Sequence, residues 1–238
     1  MTIENFYALH EGVVPFYYWD SPSDQTSDSD PSSSVLRSHD VAVHRVFLGN
    51  LKVPSGKLAA SDPFVTVDEP LVFDLAPGVY PVYATVADVS KEQDKSHYRE
   101  AYVTIVTSEK ESVHLAPLLP KEPEEDDNDE DDGLFYHIGV DAGAVAFHDY
   151  NAIEKYLQEC GDDYGKFPDG LSEIEISTNE ISYGVFSPYS EQEGNLIFCH
   201  SGWGDGFYPV MQTTDIDGKL TGIHIDLKIV GGPEDEEE

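Results

Sequence analysis

Apolar and polar positions along the chain mostly keep a period of two. From Val41 to Leu51 (VAVHRVFLGNL) β-branched and apolar residues partly alternate, which predicts a strand ending at Gly49-Asn50. Further strands are predicted at 70–75 (PLVFDL), 80–89 (YPVYATVADV) and 99–108 (REAYVTIVTS), separated by Pro and Gly punctuation. In the last of these Ala101, Val103, Ile105 and Thr107 share one face, and Tyr102, Thr104 and Val106 the other. The polar run SKEQDKSHY before it reads as a hairpin loop, and the three strands together predict an antiparallel meander.

The period changes to that of a helix at Tyr150 to Cys160 (YNAIEKYLQEC). Ile153, Tyr156, Leu157 and Cys160 fall at i, i+3, i+4 and i+7, with Asp149 or Asn151 to cap the start and Gly161 to end it. Strands then resume at 181–189, 195–202, 207–216 and 220–230, and Asp217-Gly218 is a hairpin turn between the last two. The pattern predicts an α+β fold: mostly antiparallel β-sheet, as a sandwich or a curled sheet, with one or two short helices.

Two stretches have no such pattern. Residues 21–34 (SPSDQTSDSDPSSS) hold no apolar side chain and predict a disordered surface loop. It follows an N-terminal segment, 1–20, that carries the aromatic cluster Phe16, Tyr17, Tyr18 and Trp19. Glu122 to Asp132 contains nine acidic residues and no base, predicting a solvated loop at 121–133. That loop interrupts what reads as one β-rich domain over 35–230, closed by an acidic tail at 231–238.

Charge narrows the partners. The net charge is −34, and setting aside the acidic residues of 122–132 and 234–238 leaves −20 on the rest. Phosphate backbones and anionic membrane surfaces are repelled by such a chain, so neither nucleic acid nor a membrane is an expected partner. Hydrophobic content of 39% is nevertheless enough for a core. Two cysteines, Cys160 and Cys199, make no disulfide framework and read as free thiols in a reducing compartment. With no basic, apolar leader at Met1 to Val14 and no long apolar run, a soluble cytoplasmic protein is expected.

Three motifs stand out as places for chemistry. Pro54-Ser55-Gly56-Lys57-Leu58 invites a phosphate-loop reading, but the upstream Gly is absent and Leu58 stands where Ser or Thr is needed. It reads as a turn. Gly139-Val140-Asp141-Ala142-Gly143 is a strand end entering a small-residue turn, with Asp141 at its mouth. Ser201-Gly202-Trp203-Gly204-Asp205-Gly206-Phe207-Tyr208-Pro209 describes a tight loop that sets an aromatic plate beside a carboxylate. A corner with Trp203 packed inward predicts the same string. The candidate pocket is therefore Trp203, Tyr208, Gly202, Gly204, Gly206, Gly139 and Gly143, with Asp141 and Asp205 as candidate ligand or metal residues.

Other chemistry is poorly supported. Cys199 and His200 are neighbours and point to opposite strand faces, so they form no dyad, and Ser201 lacks the G-x-S-x-G elbow. No histidine or cysteine spacing suits zinc. The acidic run fails the calcium-loop pattern, which leaves no expected cofactor beyond weak divalent-cation binding.

In order, KVPSGKLAASDPF at 52–64, APGVYPVYATVAD at 76–88, GVDAGAVAFHD at 139–149 and SGWGDGFYPV at 201–210 resemble the domain of unknown function 4241 family. The likeness spans roughly 50–230 and implies a shared compact fold, with Gly139, Asp141, Gly143, Gly202, Trp203, Gly204, Asp205, Gly206 and Pro209 as motif positions. It implies no reaction. Three functions compete. The first is a non-catalytic protein-binding module, with immunity-type neutralisation of a basic toxin or effector as its concrete case. The second is a small-ligand binder or metal-assisted hydrolase, which needs Asp141 and Asp205 to converge. In the third, both glycine motifs are purely structural. The oligomeric state is left open.

Overall fold

The computed structural model describes residues 3–20, 35–121, 136–161, 166–190 and 193–231. The expected Ser/Asp loop at 21–34, the acidic run at 122–132 and the acidic tail after Gly231 lie outside the described residues.

Two antiparallel sheets make up the fold. The larger runs β1 (Gly12–Asp20), β2 (Val35–Val53), β5 (Gly78–Asp88), β6 (Tyr98–Val106). It continues through β14 (Leu220–Asp226), β13 (Gly206–Thr214) and β7 (His114–Pro117), while β8 (His137–Val140) pairs with the start of β13. The smaller sheet runs β10 (Ile176–Ser177), β11 (Ser182–Phe186), β12 (Leu196–His200), β9 (Ala144–Asp149), β3 (Lys57–Ser61), β4 (Leu71–Asp74). An α+β fold dominated by antiparallel sheet is what the sequence predicts, and its sheets stack as a sandwich.

Alternation decides what each face buries. Val41, Val43, Val103 and Ile105 of the larger sheet share one core with Leu58, Val145, Phe147 and Ile197 of the smaller. The opposite face of the smaller sheet presents Ala146, Leu196 and Phe198 to Ile153 of α1 (Tyr150–Cys160) and to Phe167 and Leu171 of α2 (Lys166–Ile174). Covered on both sides, β9 is buried at all six positions, which is why its sequence AVAFHD shows no alternation. The outer face of the larger sheet is partly covered by residues 3–10. Phe6 packs edge-on to Tyr102 and to His224, each at 4.9 Å, and the Leu9 N–H donates to Thr85 Oγ1 at 2.9 Å. His224 is buried and neutral, its pKa pushed down to about 3 by desolvation, with Thr104 and Thr213 hydroxyls on its two ring nitrogens.

Helix α1 matches its predicted bounds. The Asp149 carboxylate accepts the Ala152 N–H at 2.9 Å and the Gly161 N–H donates to the Leu157 carbonyl, so both ends are satisfied locally. Two strand expectations need correction. β2 does not stop at Gly49-Asn50: Leu48 bulges between Phe47 and Gly49 and the strand runs on to Val53. Gly49 marks close approach instead, since a Cβ there would lie 3.1 Å from Val185 of the other sheet. The strands over 70–108 are no meander either. β5 and β6 form a hairpin, but β4 pairs with β3 in the smaller sheet, because the turn after Val53 carries the chain from one sheet to the other.

Two buried aspartates close the sandwich at opposite ends of the β3–β9 pair. Asp62 follows β3 and accepts the Asp141 and Ala142 N–H groups, at 3.0 and 2.7 Å, from the turn that precedes β9. Asp149 ends β9 and accepts the Ser55 N–H and hydroxyl, at 3.0 and 2.6 Å, from the turn that precedes β3. Each strand thus ends on a carboxylate that holds the turn leading into its neighbour. Among the described residues no helix is long and apolar enough to cross a membrane.

Asp149→Ala removes a helix cap and the acceptor of the Ser55 N–H and hydroxyl, leaving the hydroxyl only its longer bond to the Lys57 carbonyl at 3.3 Å, and is expected to cost about 2–4 kcal/mol. Ser55→Ala alone should cost about 1 kcal/mol. Urea unfolding midpoints of the two variants check the order: equal losses would contradict the double role of Asp149.

Candidate functional site

The turn at 141–143 and the loop at 201–205 meet at one end of the β8–β13 ladder. Gly206 pairs with Val140 and Phe207 with Gly139, so Asp205 and Asp141 are the residues that leave the ladder together. The main chains of the loop and the turn are linked where the Ser201 N–H donates to the Gly143 carbonyl at 3.0 Å. Within the loop the Ser201 hydroxyl donates to the Gly204 carbonyl at 2.7 Å. The buried Tyr208 hydroxyl reaches the same carbonyl at 2.8 Å and that of Ser201 at 3.1 Å, acting as a strut from beneath. Gly202 has φ +62°, and a Cβ there would lie 2.8 Å from the Glu100 carbonyl oxygen, so only glycine fits. The glycines and Tyr208 make a rigid loop, and rigidity fixes where Trp203 points.

Trp203 points outward, 54% exposed, and Phe207 at the start of β13 is 60% exposed. The Arg99 guanidinium lies over the indole at 5.0 Å and the His97 ring meets it edge-on at 5.9 Å. Together they wall a groove of about 440 Å³ lined also by Glu100, the Thr178–Ser182 turn, His200, Gly143, Gly202 and Gly204. Asp141 and Asp205 are exposed and lie outside that lining, as do Gly139, Gly206 and Tyr208. Among the described residues no group of three or more His, Cys, Asp or Glu side chains is placed to hold a metal ion.

Glu100 is the groove residue that sequence reasoning overlooks. Simple alternation puts it with Tyr102 on the outer face. A bulge shifts the register between Thr85 and Val86, so that Val86 pairs with Glu100 while Thr85 pairs with Tyr102. Cross-strand partners share a face, and Val86 faces the inter-sheet core. Glu100 is therefore turned inward and 5% exposed. Desolvation pushes its pKa up to about 7, against the pull of main-chain N–H groups, including those of Ser182 and Gly202, and of the Arg99 charge. The same burial pushes the adjacent Cys199 thiol well up, with the Glu100 charge adding, so it is no nucleophile.

A carboxyl with a raised folded pKa favours the folded state at low pH and ceases to do so as pH rises through about 7. Wild type is therefore expected to lose about 3 kcal/mol relative to Glu100→Gln between pH 4.5 and pH 8. Urea titrations at both pH values measure it, and a pH-independent difference between the two proteins would contradict the buried carboxyl.

No curated protein and no solved structure matches the chain. Residues 51–225 match the family described as protein of unknown function (DUF4241), a span that includes both glycine loops, the groove and the two aspartate clasps. With most of its length covered by that match, the chain belongs to the DUF4241 family.

Proposed function

We propose that the protein is a non-catalytic binding module that engages a basic protein partner, with neutralisation of a basic toxin or effector in the manner of an immunity protein as the concrete case. The observation that carries this reading is the exposed Trp203 on a loop whose backbone is held at several points, with the exposed Phe207 following it on β13. Aromatic anchors fixed before binding lose little entropy on association, and Trp is prominent among binding hot spots. The exposed carboxylates of Asp141 and Asp205 sit at the same end of the fold, on a chain of net charge −34 that attracts cations over long range. The candidate nucleophiles support binding over catalysis. The Ser201 hydroxyl is committed to the Gly204 carbonyl and Cys199 is sealed in the core.

A second reading, a small polar ligand held in the groove, is favoured by the Glu100 carboxyl in its lining, which burial holds at a pKa of about 7. The metal-assisted hydrolase form of that reading has two aspartates and no third ligand among the described residues.

The test is retention of a basic protein from extract of the producing cell. Wild type should hold it at ~50 mM salt and release it by ~0.5 M, where screening shortens the reach of charge to a few ångströms. Trp203→Ala with Phe207→Ala should weaken retention about tenfold or more. Finding no basic protein at low salt, or equal retention by the double variant, would sink the proposal.

A further inference from the structure

Buried polar groups are hydrogen-bonded in the great majority, and His148 breaks that rule at both ring nitrogens. It sits on β9, 1% exposed, and neither Nδ1 nor Nε2 has a well-aligned hydrogen-bond partner, the Asp149 main chain offering the ring no more than a weak one. His224 is equally buried yet has a threonine hydroxyl on each nitrogen. Alternation places His148 with Ala146 on the face toward the helices, where Val or Phe would fill the space without desolvating an imidazole. The histidine is therefore unexplained by packing.

His148 lines a cleft of about 360 Å³ between α1 and the loop at 67–68. The walls are Val67, Leu157 and Tyr150, and the exposed rim carries Asp68, Glu154 and Gln158. Burial depresses the imidazole pKa to about 4, outweighing the upward pull of Asp149, so the ring is neutral at physiological pH. A neutral imidazole offers one N–H donor and one lone pair.

We propose that this cleft binds a small organic amine whose apolar body carries a hydroxyl or amide at the end remote from its nitrogen. A hydroxyl both donates and accepts, which matches what His148 presents. The apolar body fits the Val67, Leu157 and Tyr150 walls, and the ammonium finds the Asp68 and Glu154 carboxylates at the rim. A metal ion is the poorer fit, because no three such ligands among the described residues are close enough to share one. The ring nitrogens are covered in the free protein, so the proposed binding requires a half-buried wall residue, Leu157 or Tyr150, to turn aside. The cleft shares no lining residue with the Trp203 groove, so it stands apart from the partner-binding proposal.

Tyramine is the probe, with phenethylamine lacking the hydroxyl and p-cresol lacking the amine. Calorimetric titration of the full chain should show tyramine binding about tenfold or more tighter than either, because a site built around a hydroxyl rejects analogues without it. His148→Phe replaces the imidazole by a somewhat larger apolar ring and gives up no well-aligned hydrogen bond, so it should still fold, with a Tm near that of wild type, and bind tyramine only as weakly as phenethylamine. Asp68→Asn with Glu154→Gln should reduce tyramine to the level of p-cresol. In wild type the His148 ring-nitrogen resonances should shift on addition of tyramine, a readout that does not depend on any variant folding. Equal affinity for the three probes, no binding at about millimolar concentration, or unmoved His148 resonances would each overturn the proposal.

Discussion

The structure depends on two carboxylates that each tie the end of one strand to the turn entering the next. β3 and β9 are antiparallel neighbours at the middle of the smaller sheet. Asp62, at the end of β3, holds the 141–142 turn, while Asp149, at the end of β9, holds Ser55 and caps α1. Ion-assisted hydrogen bonds of this kind are roughly twice as strong as neutral ones and lose little to water when buried. The first clasp fixes the turn whose Gly143 carbonyl receives the Ser201 N–H, so the position of Trp203 is inherited from Asp62 through two hydrogen bonds. The second fixes the crossing of the chain between sheets and the start of the helix layer that roofs His148.

Acidic composition thus has two separate uses. Asp88 accepts N–H groups from Ser90 and Lys95 in the β5–β6 loop, and Asp215 accepts those of Asp217 and Lys219 in the β13–β14 hairpin. Both are almost fully buried, like Asp62 and Asp149. These carboxylates organise turns through main-chain N–H groups, joined at Asp215 by the Lys110 ammonium at 2.6 Å. Asp141 and Asp205 differ in kind: their side chains are exposed beside the aromatic loop and face solvent. In the proposed binding reading, carboxylates of the second sort are the ones placed to contact a partner, while the net charge acts only at long range.

What the sequence revealed followed from local physics. Helix α1 was legible because its period, its Asp149 cap and its Gly161 stop all lie within thirteen residues. Strands with one apolar and one more polar face, such as β6 with Val103 and Ile105 against Tyr102 and Thr104, were legible by alternation even though residues 3–10 cover part of the second face. β9 was not, since burial on both faces erases the period, and β3 hid inside a turn-like motif of small residues. The assignment of β4 to the smaller sheet is set by where the chain crosses over, which no local pattern records. Glu100 was hidden by a one-residue bulge that reverses its face. The glycine loops were recognisable as a candidate site, but the Asp62 clasp joins residues 79 and 80 positions apart and has no local signature.

The central claim is that Asp62 sets the rigidity of the loop that presents Trp203. Native-state amide hydrogen exchange measures this directly in wild type and Asp62→Ala. The Asp141, Ala142 and Ser201 N–H groups should be protected in wild type, and in the variant protection should fall at all three while that of β5 and β6 persists. Loss confined to Asp141 and Ala142, with Ser201 still protected, would contradict the claim and leave the Trp203 loop standing on its own hydrogen bonds.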